Sequence, residues 1–462
     1  MKSEHYSQFV GIDRTTNPVD APQVAFVKLD NAVVDSTTGA VTMRGGSTEW
    51  SATGDILGIF GYSKESASYL VPNVSHVVRH RRNGSTSYIE RLDWSNSTWT
   101  AITQGANTSF GASGIAQSAQ IDDVLCVCAG RPAYINDVTA GNINRLGGPA
   151  PTAAPTLGLS GTGLTGFTRA FYTFYNSTTG WESSPSPIAE ITATNDQIDW
   201  SALEITCAKE GVDKKNLYRT ELLTEGAGTF KRVAQINLAT TTYSDTVADA
   251  SLGVDAPAVG DHEPPPSTSY ICIAYANKFW IASGNELFYS KTYDGTLKSL
   301  EYFSLDRVFR FPARITGLAY TPDFGKLLIF LPSGLGIHYL SGRSDDTFEQ
   351  DIFKAREGTN FPASVSWHDE HVAYWGARGP QLINTGGVVR DFAGGLSGQL
   401  SGIVEKEYNS TVYIFSEWSA YYEQFLFGIS ATDTATSQWF DRVTNLPVGW
   451  INRTTGALVE WQ

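Results

Sequence analysis

The stretch KFWIASGNELFYS, residues 278–290, decides the reading of this chain. After Lys278, residues Phe279 to Ala282 form an apolar run. Gly284 and Asn285 are turn residues, and Leu287, Phe288 and Tyr289 begin a second strand. The same arrangement returns as KLLIFLPSGLGIHYL (326–340), as HVAYWGARGPQLI (371–383) and, more loosely, as TVYIFSEWSAYYEQFLFGI (411–429). These four begin 48, 45 and 40 residues apart (278 to 326 to 371 to 411). An earlier copy is VLCVCAGRPAYI, residues 124–135. A period of about 40–50 residues built from short strands predicts β-propeller blades. Identity between the copies is low, and a sandwich with hairpins of similar length is the competing reading.

Outward from these copies, composition agrees with an all-β chain. Of 462 residues, 44 are Gly, 12 Trp, 21 Tyr and 23 Phe, and only 2 are Met. Glycine serves turns and aromatics serve pleated surfaces, while long Ala/Leu/Glu/Lys stretches at helical spacing are missing. Further strands are expected at 55–62, 68–71, 74–80, 87–92 and 123–128.

The gap between the copies at 124 and 278 is too long for one blade. Pro-rich stretches at 147–155 and 260–267 bracket it, and such segments mark domain boundaries. Between them, strands are expected at 167–175, 186–193, 202–208, 215–220, 229–236 and 241–246. Their number and length fit a sandwich resembling fibronectin type III. The expected order is an N-terminal segment and first part of a propeller (1–150), an inserted β-sandwich (151–265), and the rest of the propeller (266–462).

A formal net charge of -14 makes the chain a poor clamp for nucleic-acid phosphates, which requires Lys and Arg to displace counterions. The charge suits a surface that surrounds DNA without holding it, and solubility alone explains it equally well. The N-terminal residues lack the pattern of a signal sequence, and no apolar run approaches the length of a membrane helix. Synthesis in a cytoplasm is therefore expected. Four cysteines occur, Cys126, Cys128, Cys207 and Cys272. Cys126 and Cys128 alternate on one strand and share a face, so all four are expected as reduced, largely buried thiols.

Motifs for chemistry are weak. Gly161 to Gly166 matches GxGxxG but follows a Pro/Ala linker, not a βα turn, and is read as a loop. His368-Asp369-Glu370-His371 is read as a hairpin turn, because a catalytic metal needs a third ligand that the sequence does not supply. Residues 93–100 and 289–295 resemble the Asp-box turns of sialidase-like propellers, and no carboxylate pair can be chosen from 47 acidic residues. Arg79-His80-Arg81-Arg82 is the one local basic cluster, and is read as a solvated hairpin end in preference to a contact with phosphate or with an acidic neighbour. We expect no catalytic residue, no cofactor and no metal, and hence no enzyme.

A set of N-terminal residues adds a family. Gly11-Ile12-Asp13, Pro18 to Pro22, and then Asn31, Asp35, Gly39, Arg44, Gly45 and Gly46 follow one another in a pattern that resembles the opening of podovirus-type bacteriophage tail nozzle, tail tubular and stabilisation proteins. Here Gly45-Gly46 stands where such proteins often carry Pro-Gly. Later stretches are similar to the same family: Arg145 to Gly147 before Pro151, Gly180 to Pro187, Asn216 to Arg219, Thr242 to Asp245 and Phe279 to Gly284. The likeness covers roughly the first two-thirds of the chain.

The resemblance implies a virion protein of a short-tailed phage, a β-propeller subunit of a homohexameric ring. That ring would lie below the portal and adaptor, with double-stranded DNA retained and ejected through it without sequence-specific binding. Implied partners are copies of itself, the head–tail connector proteins and tail fibres. The alternative function is a carbohydrate-active or host-receptor-binding propeller of the tail.

Overall fold

In the computed structural model the described residues are 11–12, 25–26, 32–34, 41–43, 55–64, 74–93, 98–105, 110, 116–136, 141–222, 228–353, 357–368, 371–377, 379–384, 389–391, 412–419, 424–431, 450–451 and 458–459. Strands dominate them, and the fold class is all-β, with propeller-type blade sheets interrupted by an inserted β-module. The chain divides into two compact units, Met1–Thr53 with Pro312–Gln462, and Gly54–Phe311.

Two short pairs open the chain. β1 (Gly11–Ile12) runs parallel to β2 (Ala25–Phe26), and β3 (Ala32–Val34) is antiparallel to β4 (Val41–Met43). Asn31, Asp35, Gly39, Arg44, Gly45 and Gly46 themselves lie outside the described residues.

The unit Gly54–Phe311 carries three four-stranded sheets, each an antiparallel meander in sequence order. The first joins β5 (Asp55–Lys64), β6 (Val74–Asn83), β7 (Thr86–Asp93) and β8 (Thr98–Ala101). The second joins β9 (Gln117–Ile121), β10 (Val124–Ala129), β11 (Arg131–Ile135) and β12 (Asn144–Arg145). Every residue of β10 is buried. Leu125, Val127 and Ala129 face a core shared with Phe60, Val78 and Ile89 of the first sheet. Val124, Cys126 and Cys128 face a core shared with Phe279 and Ile281 of the third sheet. This two-sided burial explains why the strand reads as a continuous apolar run.

Between the second and third sheets lies the inserted module, formed by β13 (Thr156–Tyr175), β14 (Ala189–Ser201), β15 (Lys214–Arg219), β16 (Lys231–Asn237) and β17 (Tyr243–Asp245). Its sheet order is β16-β15-β13-β14-β17. The expected two layers are made from one continuous sheet. β13 pairs with β14 from Thr156 to Ala170 and with β15 from Ala170 to Tyr175, and residues of both halves pack into one cluster around Tyr172, Trp200 and Leu217.

The glycines of 161–166 do not form the loop expected from sequence. They lie within β13, where the register shifts between Ser160 and Leu164 and again between Leu164 and Thr165. Positive φ at Gly161 (56°) and Gly166 (134°) permits the bulged stretch. Residues 202–208, expected as a strand, form none. Ala202 has φ 57°, which ends the extended run, and Leu203 turns into the core.

The third sheet joins β18 (Ile271–Tyr275), β19 (Lys278–Ser283), β20 (Glu286–Tyr289) and β21 (Val308–Arg310), with α1 (Leu297–Leu300) in the last connection. β19 and β20 realise the stretch at 278–290. Ser283 pairs with Glu286 across a two-residue turn in which Gly284 adopts φ 60°. Gly130 and Ser269 bond each other's backbone, joining the chain before the insertion to the chain after it.

In the other unit, β22 (Gly317–Tyr320), β23 (Leu327–Phe330), β24 (Ile337–Ser341) and β25 (Glu349–Ile352) form one meander, and β26 (Ser366–His368), β27 (His371–Gly376), β28 (Gly379–Asn384) and β29 (Val389–Asp391) form another. Leu328, Phe330, Val372 and Tyr374 pack these two together. A 3-10 turn at Pro362–Ser364 precedes β26. A last sheet holds β30 (Val412–Ser419), β31 (Gln424–Ala431), β32 (Trp450–Ile451) and β33 (Leu458–Val459). β32 runs parallel to β31, a departure from the meander.

Candidate functional site

A set of buried charge and aromatic contacts lies where the inserted module meets the blade sheets of its own unit. After β14, the segment leading into β15 carries Lys209 and Glu210. The Lys209 ammonium meets the Glu301 carboxylate, which sits at the C-terminal end of α1, and both side chains are buried. Lys209 Nζ also donates to the Arg145 carbonyl at 3.3 Å and lies 5.1 Å from the Trp181 ring and 5.4 Å from the Tyr134 ring. An ammonium taken out of water needs such partners, since desolvation otherwise outweighs its attraction to one carboxylate. The Gly147 amide donates to the same Glu301 oxygen at 3.4 Å, while Glu301 Oε2 is buried without a hydrogen bond among the described residues. Burial raises the Glu301 pKa, against the pull of Lys209.

Around this pair the module is tied down further. The Arg145 amide donates to Glu210 Oε2 at 3.0 Å, and the Arg145 guanidinium donates to the Ala208 carbonyl at 3.1 Å. The Glu182 amide donates to the Tyr302 hydroxyl at 2.9 Å. Tyr302 packs with Phe174 and Trp181 in a small core. His262 stacks on Tyr302, with ring centroids 3.8 Å apart and planes 4° apart. Burial, and then the nearby Lys291, lower its pKa to about 4. Asp261 accepts from Lys291 and from Ser304 Oγ, the latter at 2.8 Å. Its pKa is lowered, because those bonds outweigh the burial that raises it.

The basic cluster on β6 has an acidic partner and is not a solvated hairpin end. Arg79 Nε meets Glu90 Oε2 at 2.7 Å, Arg81 meets Glu90 Oε1 at 2.8 Å, and Arg79 lies 4.0 Å above the Trp99 ring. Arg79, His80 and Glu90 are all buried. The alternation of β6 puts Arg79 and Arg81 on one face, opposite Glu90 of β7. Burial, and then Arg82, lower the His80 pKa to about 4. His368 and His371 face each other as a cross-strand pair at the β26–β27 turn, as the hairpin reading expected, with Asp369 and Glu370 outside the described residues.

All four cysteines are free thiols. Cys126, Cys128 and Cys272 come together with their sulfurs within 4.8 Å of one another, and all three are buried. Cys272 Sγ donates to the Gln117 carbonyl at 3.5 Å. Donation to Cys128 pushes the Cys126 thiol up and burial pushes Cys272 up. At Cys128, burial is opposed by the hydrogen bonds it receives, and its pKa is lowered. Sequence placed the first two on one face but held no signal for Cys272, which reaches them only through packing of β18 against β9 and β10. Cys207 stands apart, half-buried at the module junction.

These features define the class: an all-β chain of four-stranded blade sheets with a side module fixed to one set of them by buried charge. No family model matches the chain, and no curated protein matches it. Among solved structures, a protein from Lactobacillus plantarum is similar over 79% of this chain and 88% of its own, at 11% identity and TM-score 0.31. An uncharacterised protein from Listeria monocytogenes is similar over 68% and 90%, at 12% identity and TM-score 0.18. The Dos1 propeller is similar over 74% and 78%, at 9% identity and TM-score 0.19. At these TM-scores the likenesses carry no argument, and the fold rests on the strand pairing.

Proposed function

We propose that this chain is a structural subunit of a short-tailed bacteriophage tail, of the nozzle or tail-tube kind. It would act in a closed homo-oligomeric ring through which genomic DNA is retained and ejected. The observation that carries this reading is the buried ion pair of Lys209 and Glu301, which ties the inserted module to the blade sheets. A ring requires heterologous contacts, one surface of a subunit against a different surface of its neighbour. A blade body with a side module offers two unlike surfaces. The N-terminal resemblance supplies the family and the sixfold count. The net charge of -14 supports passage of DNA without the salt-sensitive grip of Lys/Arg-rich binders.

The test is made on the virion. Mass analysis of purified particles should count this chain at six copies or a low multiple of six, and electron cryo-microscopy should find it axially, below the head–tail connector. Location in lateral fibres or in the capsid shell, or absence from the particle, ends the reading. Hydrolysis of a host polysaccharide by the purified chain would favour the carbohydrate-active alternative.

A further inference from the structure

Three of the four cysteines converge from two blade sheets onto one point in a buried core. Cys126 and Cys128 arrive from β10, where alternate residues share a face, and Cys272 arrives from β18. We propose that Cys126, Cys128 and Cys272 form a three-sulfur site for a soft monovalent metal ion, Cu(I). The site is independent of the tail reading.

Ligand type, number and surroundings select the ion. Thiolates favour Cu(I), zinc and iron–sulfur clusters over hard cations. A closed zinc site takes four ligands and so does an iron–sulfur cluster, whereas three sulfurs converge here. Among the described residues no further His, Cys, Asp or Glu joins the trio. The Ser269 hydroxyl bonds the Ala282 carbonyl at 2.6 Å and also reaches Cys128, and the Gln117 carbonyl accepts from Cys272. Apolar neighbours in the same core include Ala119, Phe279 and Ile281. Three sulfurs around a metal at about 2.3 Å stand about 4 Å apart, which fits within the observed 4.8 Å span. Each thiol that becomes a thiolate ligand releases its proton to solvent as the metal binds. Because all three side chains are buried, the ion enters as the chain folds or while the two sheets are parted, and once held it is shielded from exchange.

The test uses the full-length, reduced chain, refolded under anaerobic conditions with Cu(I) and then challenged with a Cu(I) chelator. The expected result is one Cu(I) retained per chain, with three sulfur neighbours by X-ray absorption. Retention should be unchanged in Cys207→Ser, which lies outside the trio, and should fall at least tenfold in Cys272→Ala and in Cys128→Ser. Circular dichroism of the copper-free variants establishes that they fold. The sulfur count in the unaltered chain decides the matter even where a variant does not. Loss of copper to the chelator, two or fewer sulfur neighbours, or equal retention by folded Cys272→Ala would overturn the assignment.

Discussion

Lys209 of the inserted module and Glu301 at the end of α1 are 92 residues apart in sequence and form an ion pair with both side chains buried. The pair is a joint: one charge belongs to the module and the other to the blade sheets. Removing one partner strands the other charge without water. Lys209→Met or Glu301→Leu alone should therefore destabilise the unit Gly54–Phe311 by about 3–5 kcal/mol. The double replacement should recover most of that loss, since two apolar groups leave no charge uncompensated. Urea unfolding of the four chains checks this, and equal losses in the singles and the double would contradict it.

The turn beneath this joint has little room for a side chain. Gly147 has φ 65°, and a Cβ there would lie 2.8 Å from Pro265 Cδ and 2.9 Å from the Glu301 carbonyl oxygen. Gly147→Ala combines left-handed backbone with close approach and should cost about 1–3 kcal/mol. A thermal melt should show the drop, whereas Gly284→Ala, with the same hand of φ but open space, should cost less.

Acid should weaken the same unit through its histidines. The folded-state pKa of His262 is about 4, below the ordinary 6.5. Between those values the unfolded chain binds more protons than the folded one. The contribution is therefore complete above pH 6.5 and is lost as pH falls toward 4, at no more than about 1.4 kcal/mol per pH unit for one site. His80 acts in the same direction. Glu301, whose pKa is raised, works the other way as it takes up a proton. His262→Phe keeps a ring against Tyr302 and should flatten the slope of stability between pH 6.5 and 4. An unchanged slope would remove His262 from this account.

On β7, Glu90 serves two arginines at once. Glu90→Ala leaves Arg79 and Arg81 without their carboxylate in a largely buried setting, and should cost about 3–5 kcal/mol. Glu90→Gln retains an acceptor and should cost less. Denaturant midpoints of the two variants give the comparison.

Thiol chemistry is checked without mutation. The metal-free chain, denatured without reductant, should titrate as four thiols. In the folded chain Cys207 should react first, because the other three are buried, and slowly, because burial pushes its pKa up to about 11. A count of two would mean a disulfide.

Much of the secondary structure is legible from local pattern. Residues 278–290 become β19, a two-residue turn and β20, because apolar run length and Gly284-Asn285 act within a few residues. The strands expected near 55, 74, 87 and 123 are present as β5, β6, β7 and β10, and the one expected at 68–71 lies outside the described residues. Misreadings fall where local signals conflict with packing. Gly161 to Gly166 carries turn residues, yet β14 holds the stretch within a bulged strand. Residues 202–208 alternate like a strand, yet the positive φ of Ala202 diverts them.

The sequence by itself determined the all-β class, the recurrence of blade hairpins and the place where that recurrence is broken, because these depend on alternation, turn residues and spacing along the chain. Only the tertiary structure decided which distant groups meet. Cys272 joins Cys126 and Cys128, Glu301 receives Lys209, and Glu90 takes both Arg79 and Arg81, which a strand pattern alone left pointing at solvent. The physical reason is range. Turn and strand preferences are settled by neighbouring residues, whereas a buried charge or thiol is defined by what surrounds it, and those surroundings come from sheets that the chain lays down far apart.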